Sequence, residues 1–412
     1  MFQRCVLRRQ MLTNKIKRPQ VKKQTAAQLA KSKETKSKTV KLAPTKQKKK
    51  EPNDKEETAI HASPISFIPL IVDSESEKRQ VKPSNFLVSP FYQRKVILHE
   101  PVSEEGKKIV EYIWSDNTPE GDIIFEEKKG VGIECVFFLS LYPEIQVAST
   151  IIDLWTLVLN NEEQHRDKLS GDGNVYCHTV MMTHHSVEMG KDVEARRNFF
   201  DENIDIVLKQ AKRKNFDDVN LVFFPAIKMS KKSNHFYVIC FNLKTSEIKI
   251  IDNIDNGIDD IKTRYGGFPY ALMESFIDYL ERNKYQNCYD LILAEPKQVE
   301  FSWKTTYNSH DCGIFIMRHM ETYLGKGNFL QELKKEGPGQ KVQLNMLRAK
   351  YMVKILLMSF NEKKKTLLKE AQAYMKVKPK SSKMLTGNNV RVDEELWKRF
   401  NETLIKTIDI EV

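Results

Sequence analysis

The sequence predicts an α+β fold. Three observations carry that expectation. The runs "VNLVFFPAIK" (Val219–Lys228), "HFYVICFNL" and "IKIIDNI" are dense in β-branched and aromatic residues and are bounded by polar turns. "STIIDLWTLVLNNEEQHRDKL" (Ser149–Leu169) and "YALMESFIDYLERNKY" instead repeat their apolar residues at helical spacing. The two kinds of segment are mixed along one stretch of chain, and no internal repeat separates them.

The elements follow in chain order. Residues 1–60 are rich in Lys, Gln and Thr and poor in apolar side chains, so they cannot bury enough surface to offset chain entropy and read as a disordered basic tail. Residues 61–130 form a mixed extension in which "PISFIPLIV" and "FLVSPFY" read as short strands or docking segments and "EEGKKIVEYIWSD" as a short helix. From residue 131 the pattern is globular and continues to about 360. The helix at Ser149 takes that serine as its N-cap, with Ile151, Ile152, Trp155, Val158 and Leu159 on its apolar side. "RRNFFDENIDIVLKQAKR" is a second helix, "YDLILAEP" a strand, and "VQLNMLRAKYMVKILLMSF" a late helix. Residues 361–412 read as a charged tail with one helix around "EELWKRFNETLIK".

The net charge of +12 belongs to the tail. Residues 1–57 hold 18 Lys+Arg against 5 Asp+Glu, so the remaining chain is close to neutral. "KIKRPQVKK" (Lys15–Lys23) and "KQKKK" (Lys46–Lys50) read first as a nuclear address, with weak nucleic-acid contact as a second role. A plain solvated tail is the next reading. A transit peptide is the third, since the first 33 residues hold no Asp or Glu. Localisation is therefore expected to be nuclear, with cytoplasmic the alternative. No apolar run is long enough to cross a bilayer. The six cysteines form no CxxC pair, which points to free thiols in a reducing compartment. His178, His184 and His185 lie near Cys177 without a second ligand cluster at zinc spacing, so they read as loop or surface histidines and no metal is expected.

The chemistry concentrates at three places. "HFYVICFNLKTSEIKIIDN" is an antiparallel hairpin pattern with a polar centre. Folding it brings His235 and Asp252 together at the open end. "NSHDCGIFIMRHMETY" sets Cys312 at the start of a helix whose first turn is apolar nearly all round and so reads as buried at its start. A cysteine nucleophile must be a thiolate, and a helix N-terminus favours an anion. A histidine takes the thiol proton, and an aspartate on its other nitrogen fixes the ring. The N-terminal N–H groups also suit the oxyanion of an acyl intermediate. Gly313 would let a substrate backbone approach closely.

At these residues the sequence resembles the ubiquitin-like-protein-specific cysteine proteases, the SUMO-deconjugating family related to the adenovirus protease. The matching stretches are the two just quoted, with a His–Asp separation of 17 and an Asp–Cys separation of 60. "VASTIIDLWTLVLN" is similar to the family's early helix, and "MRHMETY" to its divergent, transposon-associated branch. The resemblance covers residues 131–360 and implies a papain-like α+β protease domain. It implies a catalytic set of His235, Asp252 and Cys312 acting without a cofactor. The partner implied is SUMO or a related ubiquitin-like protein, whose Gly-Gly tail threads a tunnel lined by Phe236 and Gly313. The family usually carries an oxyanion glutamine six residues before the cysteine. Thr306 stands there in this chain, so Thr306 and Asn308 are the expected donors. Phe236 replaces the family's usual tryptophan. The Thr306 substitution also motivates a rival reading, a protease-fold module that grips a ubiquitin-like protein without cutting it.

Overall fold

In a computed structural model the described residues run from 95 to 377, apart from 99, 116–117, 129–131, 166–172, 182–192, 229–233, 287, 307 and 309. The segments "PISFIPLIV", "FLVSPFY" and "EELWKRFNETLIK", His184, His185 and both basic clusters lie outside them.

Chain order begins with α1 (Glu104–Ile113), whose N-cap Ser103 accepts from the Gly106 N–H. The ribbon β1 (Ile123–Phe125) and β2 (Ile133–Glu134) follows, then the short α2 (Cys135–Leu139) and α3 (Ser149–Glu163). Next come β3 (Gly173–Tyr176), α4 (Val193–Gln210), β4 (Val219–Lys228), β5 (His235–Asn242) and β6 (Glu247–Ile251). The helices α5 (Ile261–Tyr265), α6 (Phe268–Arg282) and α7 (Cys288–Leu293) precede β7 (Pro296–Gln298). Last are α8 (Cys312–Thr322), β8 (Tyr323–Gly325), β9 (Asn328–Phe329), α9 (Pro338–Leu356) and α10 (Lys364–Val377). The class is α+β, as the sequence predicts.

The central sheet has the order β3-β4-β5-β6-β7, antiparallel across β4, β5 and β6 and parallel at both outer pairs. Strand alternation divides the interior in two. Phe236, Val238 and Cys240 of β5 join a core with residues of α3, α8 and α9. Tyr237, Ile239 and Phe241 join a second core with residues of α4 and α6. β5 is thus covered on both faces. That explains its unbroken apolar run, because a half-exposed strand would alternate with polar residues.

Three local expectations are corrected. Ala148, not Ser149, is the N-cap of α3. "YDLILAEP" is not a strand: its apolar half belongs to α7, and only Pro296–Gln298 pairs with β6. A short apolar run is compatible with either element, and pairing decides. Finally, the core does not stop at residues 131 and 360. Val96, Leu98, Ile109, Val110, Ile113 and Phe125 are buried in it at one end, and Leu367 and Ala371 of α10 at the other. Among the described residues no helix is long and apolar enough to cross a membrane, and no group of three or more His, Cys, Asp or Glu could hold a metal ion.

Candidate active site

The β5–β6 hairpin turns through the polar residues Lys244–Glu247, and its register opposes Val238 to Ile251. Continued one step, that register sets Asp252 across from Tyr237, with His235 on the neighbouring diagonal. The two side chains meet there: His235 Nε2 lies 2.8 Å from Asp252 Oδ1. Cys312 also acts on the His235 side chain, by hydrogen bonding and charge. Cys312 opens α8, which packs on the opposite face of β5 among the residues around Phe236. The three therefore meet at the end of β5, where residues from both faces of the sheet can touch.

Asp252 is held by more than the histidine. It is 2 % exposed. Oδ2 accepts from the Arg264 guanidinium at 2.9 Å and from the Tyr265 hydroxyl at 2.6 Å, and Oδ1 accepts from the Ile254 N–H at 2.9 Å. Burial alone would raise its pKa. The His235 hydrogen bond and charge, then Arg264 and Tyr265, outweigh burial and hold the carboxyl at about 2. His235 shows the mirror image. Burial disfavours imidazolium, but the hydrogen bonds and charges of Asp252 and Cys312 raise its pKa to about 10. At neutral pH this ring is an imidazolium, the partner a thiolate needs.

The N-terminus of α8 is prepared in a particular way. Asp311 occupies the N-cap but makes no side-chain capping bond. Its carboxylate instead takes Arg348 Nε at 3.0 Å and Nη2 at 2.6 Å, and also Asn308 Nδ2 at 2.9 Å. The first-turn N–H groups of α8 are thus not taken by that carboxylate, and the helix dipole points at the thiol. Burial pushes Cys135 up to about 12 and Cys177 and Cys240 well above their ordinary range.

The remaining expected residues fall elsewhere. Thr306 is exposed, and its N–H donates to Glu336 at 2.9 Å. Asn308 exchanges hydrogen bonds with Asp311, its amide donating to the carboxylate and its carbonyl accepting from the Asp311 N–H. The expectation for both came from the family resemblance; the Asn308 amide is committed to Asp311, and the Thr306 N–H to Glu336. Phe236 is a core side chain, only 2 % exposed. Gly313 is closed by protein, since a Cβ added there would stand 2.6 Å from Val147 Cβ. Both were expected to line a tunnel and are instead packed beneath the site. His178 pairs with Gln210 at 2.8 Å.

One side chain that the sequence did not single out is at the thiol. Gln146 Nε2 is 3.9 Å from Cys312 Sγ and donates to the Asn234 carbonyl. "PEIQVAST" reads as an ordinary lead-in to a helix, and no motif offset links residues 146 and 312.

No family model matches this sequence, and no curated protein matches it. Among solved structures the chain is similar to the SUMO protease Ulp1 with its catalytic cysteine oxidised to a sulfenic acid, at 15 % identity and TM-score 0.43, covering 63 % of this chain and 98 % of that one. It is similar to the C-terminal Ulp1 protease domain in complex with Smt3, the yeast ortholog of SUMO, at 15 % identity and TM-score 0.42, covering 64 % and 98 %. It is also similar to the Ulp1-like SUMO protease catalytic domain of Chaetomium thermophilum, at 15 % identity and TM-score 0.40, covering 62 % and 90 %.

Proposed function

We propose that this protein is a cysteine peptidase that cleaves after the C-terminal Gly-Gly of SUMO or another ubiquitin-like modifier, by precursor processing, isopeptide cleavage or both. The observation that carries the reading is the His235 imidazole bridging Asp252 at 2.8 Å and Cys312 at the start of a buried helix. The substrate class is drawn from the motif resemblance around these residues.

The chemistry follows from the geometry. The Cys312 thiolate attacks the glycine carbonyl carbon, and the carbonyl electron pair moves onto oxygen. That oxyanion faces the N-terminal N–H groups of α8. Collapse expels the amine, which takes its proton from the His235 imidazolium. His235, now neutral, takes a proton from water as it adds to the thioester, and collapse breaks the C–S bond, returning the Cys312 thiolate beside the His235 imidazolium and releasing the free carboxylate. Asp252 stays ionised throughout, holding the ring and its tautomer.

A second reading is the non-catalytic grip on a ubiquitin-like protein. One observation favours it: Cys312 is fully buried. Covalent trapping decides between the two. SUMO and ubiquitin bearing a C-terminal thiol-reactive group are mixed with the wild type and with Cys312→Ala. The peptidase reading expects an adduct with one modifier that Cys312→Ala abolishes. Tight probe binding with no adduct would establish the grip instead.

We further propose that the tail of residues 1–57 is a nuclear address with weak nucleic-acid affinity. Its deletion should abolish salt-sensitive DNA binding; binding that survives deletion would contradict this.

A further inference from the structure

Gln146 lies in the segment between α2 and α3, far along the chain from both His235 and Cys312, yet it touches the surroundings of each. Its amide nitrogen donates to the carbonyl of Asn234, the residue before His235, and stands 3.9 Å from Cys312 Sγ. A carbonyl oxygen only accepts, so the NH2 end of this amide, not its oxygen, faces the cysteine–histidine pair. An NH2 group carries two hydrogens. One serves Asn234, and the other donates to Cys312 Sγ in the resting site, from which it can pass to an oxygen on the acylated sulfur.

The segment is fixed by contacts that a passive linker would not need. Val147 packs so closely on Gly313 that no Cβ fits between them. Buried Arg348 donates to the carbonyls of Ser140 at 3.2 Å and Tyr142 at 2.9 Å, and on its other side to Asp311 and the His310 carbonyl. The same guanidinium therefore ties the Gln146 segment to the loop that delivers Cys312. The Ala148 N–H closes the segment on Ser140 Oγ at 3.0 Å. The side chain is itself largely buried, at 8 % exposure.

We infer that Gln146 is the side-chain donor to the oxyanion formed when Cys312 is acylated, the role expected of Thr306 and Asn308. The inference rests on the peptidase reading and adds a residue to it. When the thiolate adds to a carbonyl carbon, the electron pair moves onto oxygen. That oxygen accepts from the second Gln146 N–H and from the first-turn N–H groups of α8. Collapse re-forms the carbonyl and expels the leaving group, with the acyl group left on sulfur.

The test needs no knowledge of the modifier. N-acetyl-Gly-Gly p-nitrophenyl ester acylates a thiol through an oxyanion and releases p-nitrophenolate; iodoacetamide alkylates it by direct displacement, with no oxyanion. Gln146→Met should lower the Cys312-dependent acylation rate by about 10²–10³. Its iodoacetamide rate should stay within about threefold of wild type. Gln146→Leu, close in size and without a donor or a charge, gives the same split if the Met variant does not fold. Unchanged acylation in either variant overturns the inference. So does a parallel fall of both rates, which would mean that Gln146 only positions the His235 strand. So does a wild type acylated no faster than a free cysteine peptide. The wild-type iodoacetamide rate separates the two layers. If it exceeds that of the free peptide, only the Gln146 role has failed; if it does not, the peptidase reading has failed as well.

Discussion

At the scale of single residues, Asp252 sets the electrostatics of the site. It is ionised down to about pH 2 and, together with Cys312, holds His235 protonated up to about pH 10. The His235 pKa lies above its unfolded value near 6.5, so its contribution to stability is complete below about pH 6.5 and lost as pH rises through about 10. The Asp252 pKa is depressed, so its contribution is present above about pH 3.8 and lost as pH falls through about 2. Activity should follow the same cation: kcat/KM is expected to decline on the alkaline side with an apparent pKa near 10. Asp252→Asn removes the hydrogen-bonded charge that raises His235. Its alkaline decline should move to lower pH, with kcat falling toward the roughly 10⁴-fold loss of a triad that holds the wrong tautomer. An unmoved alkaline limb in the pH–rate profile would show that Asp252 does not govern the histidine. Cys312→Ser and His235→Ala should each abolish turnover.

At the scale of elements, Arg348 on α9 joins the α2–α3 segment to the N-cap of α8, and its side chain is fully buried. Arg348→Met leaves the Asp311 carboxylate without its cation and four carbonyl or carboxylate oxygens without a guanidinium donor. A loss of roughly 3–5 kcal/mol is expected from urea unfolding. A loss below about 1 kcal/mol would mean that the clamp is dispensable. The Trp155 indole N–H likewise bonds the Met317 carbonyl at 3.0 Å, fastening α3 to α8. The strands around the candidate site were legible because their patterns are long. β4 and β5 match their sequence runs, and the hairpin arithmetic around the Lys244–Glu247 turn brought His235 to Asp252. What was not legible depends on contacts between distant segments. Gln146 has no local signature, α7 is too short to show a period, and Thr306 and Asn308 could be placed only by knowing how their loop turns.

At the scale of the whole described molecule, sequence texture underestimated what the core recruits. The stretch from Val96 to Leu98 looks irregular, yet Arg318 donates to the Val96 carbonyl at 2.8 Å and Glu321 accepts from the Val96 N–H at 2.7 Å. Lys350 reaches the carbonyls of Ile97 and Leu98. A fragment of residues 131–360 would strip these partners and the apolar contacts of α1 and α10 from one side of the core. It should melt without a cooperative transition, whereas residues 95–377 should unfold as one unit. Equal thermal transitions for the two fragments would show the flanking segments to be ornamental. The central claim, that Cys312 is an activated thiol paired with His235, is tested most directly by its iodoacetamide reactivity as a function of pH, read by mass spectrometry at the Cys312 peptide. The account expects alkylation at neutral pH faster than that of a free cysteine peptide, and slowed to the free rate or below by His235→Ala. A wild-type rate that rises only with ordinary thiol ionisation near pH 8.5, and is indifferent to His235→Ala, would contradict it.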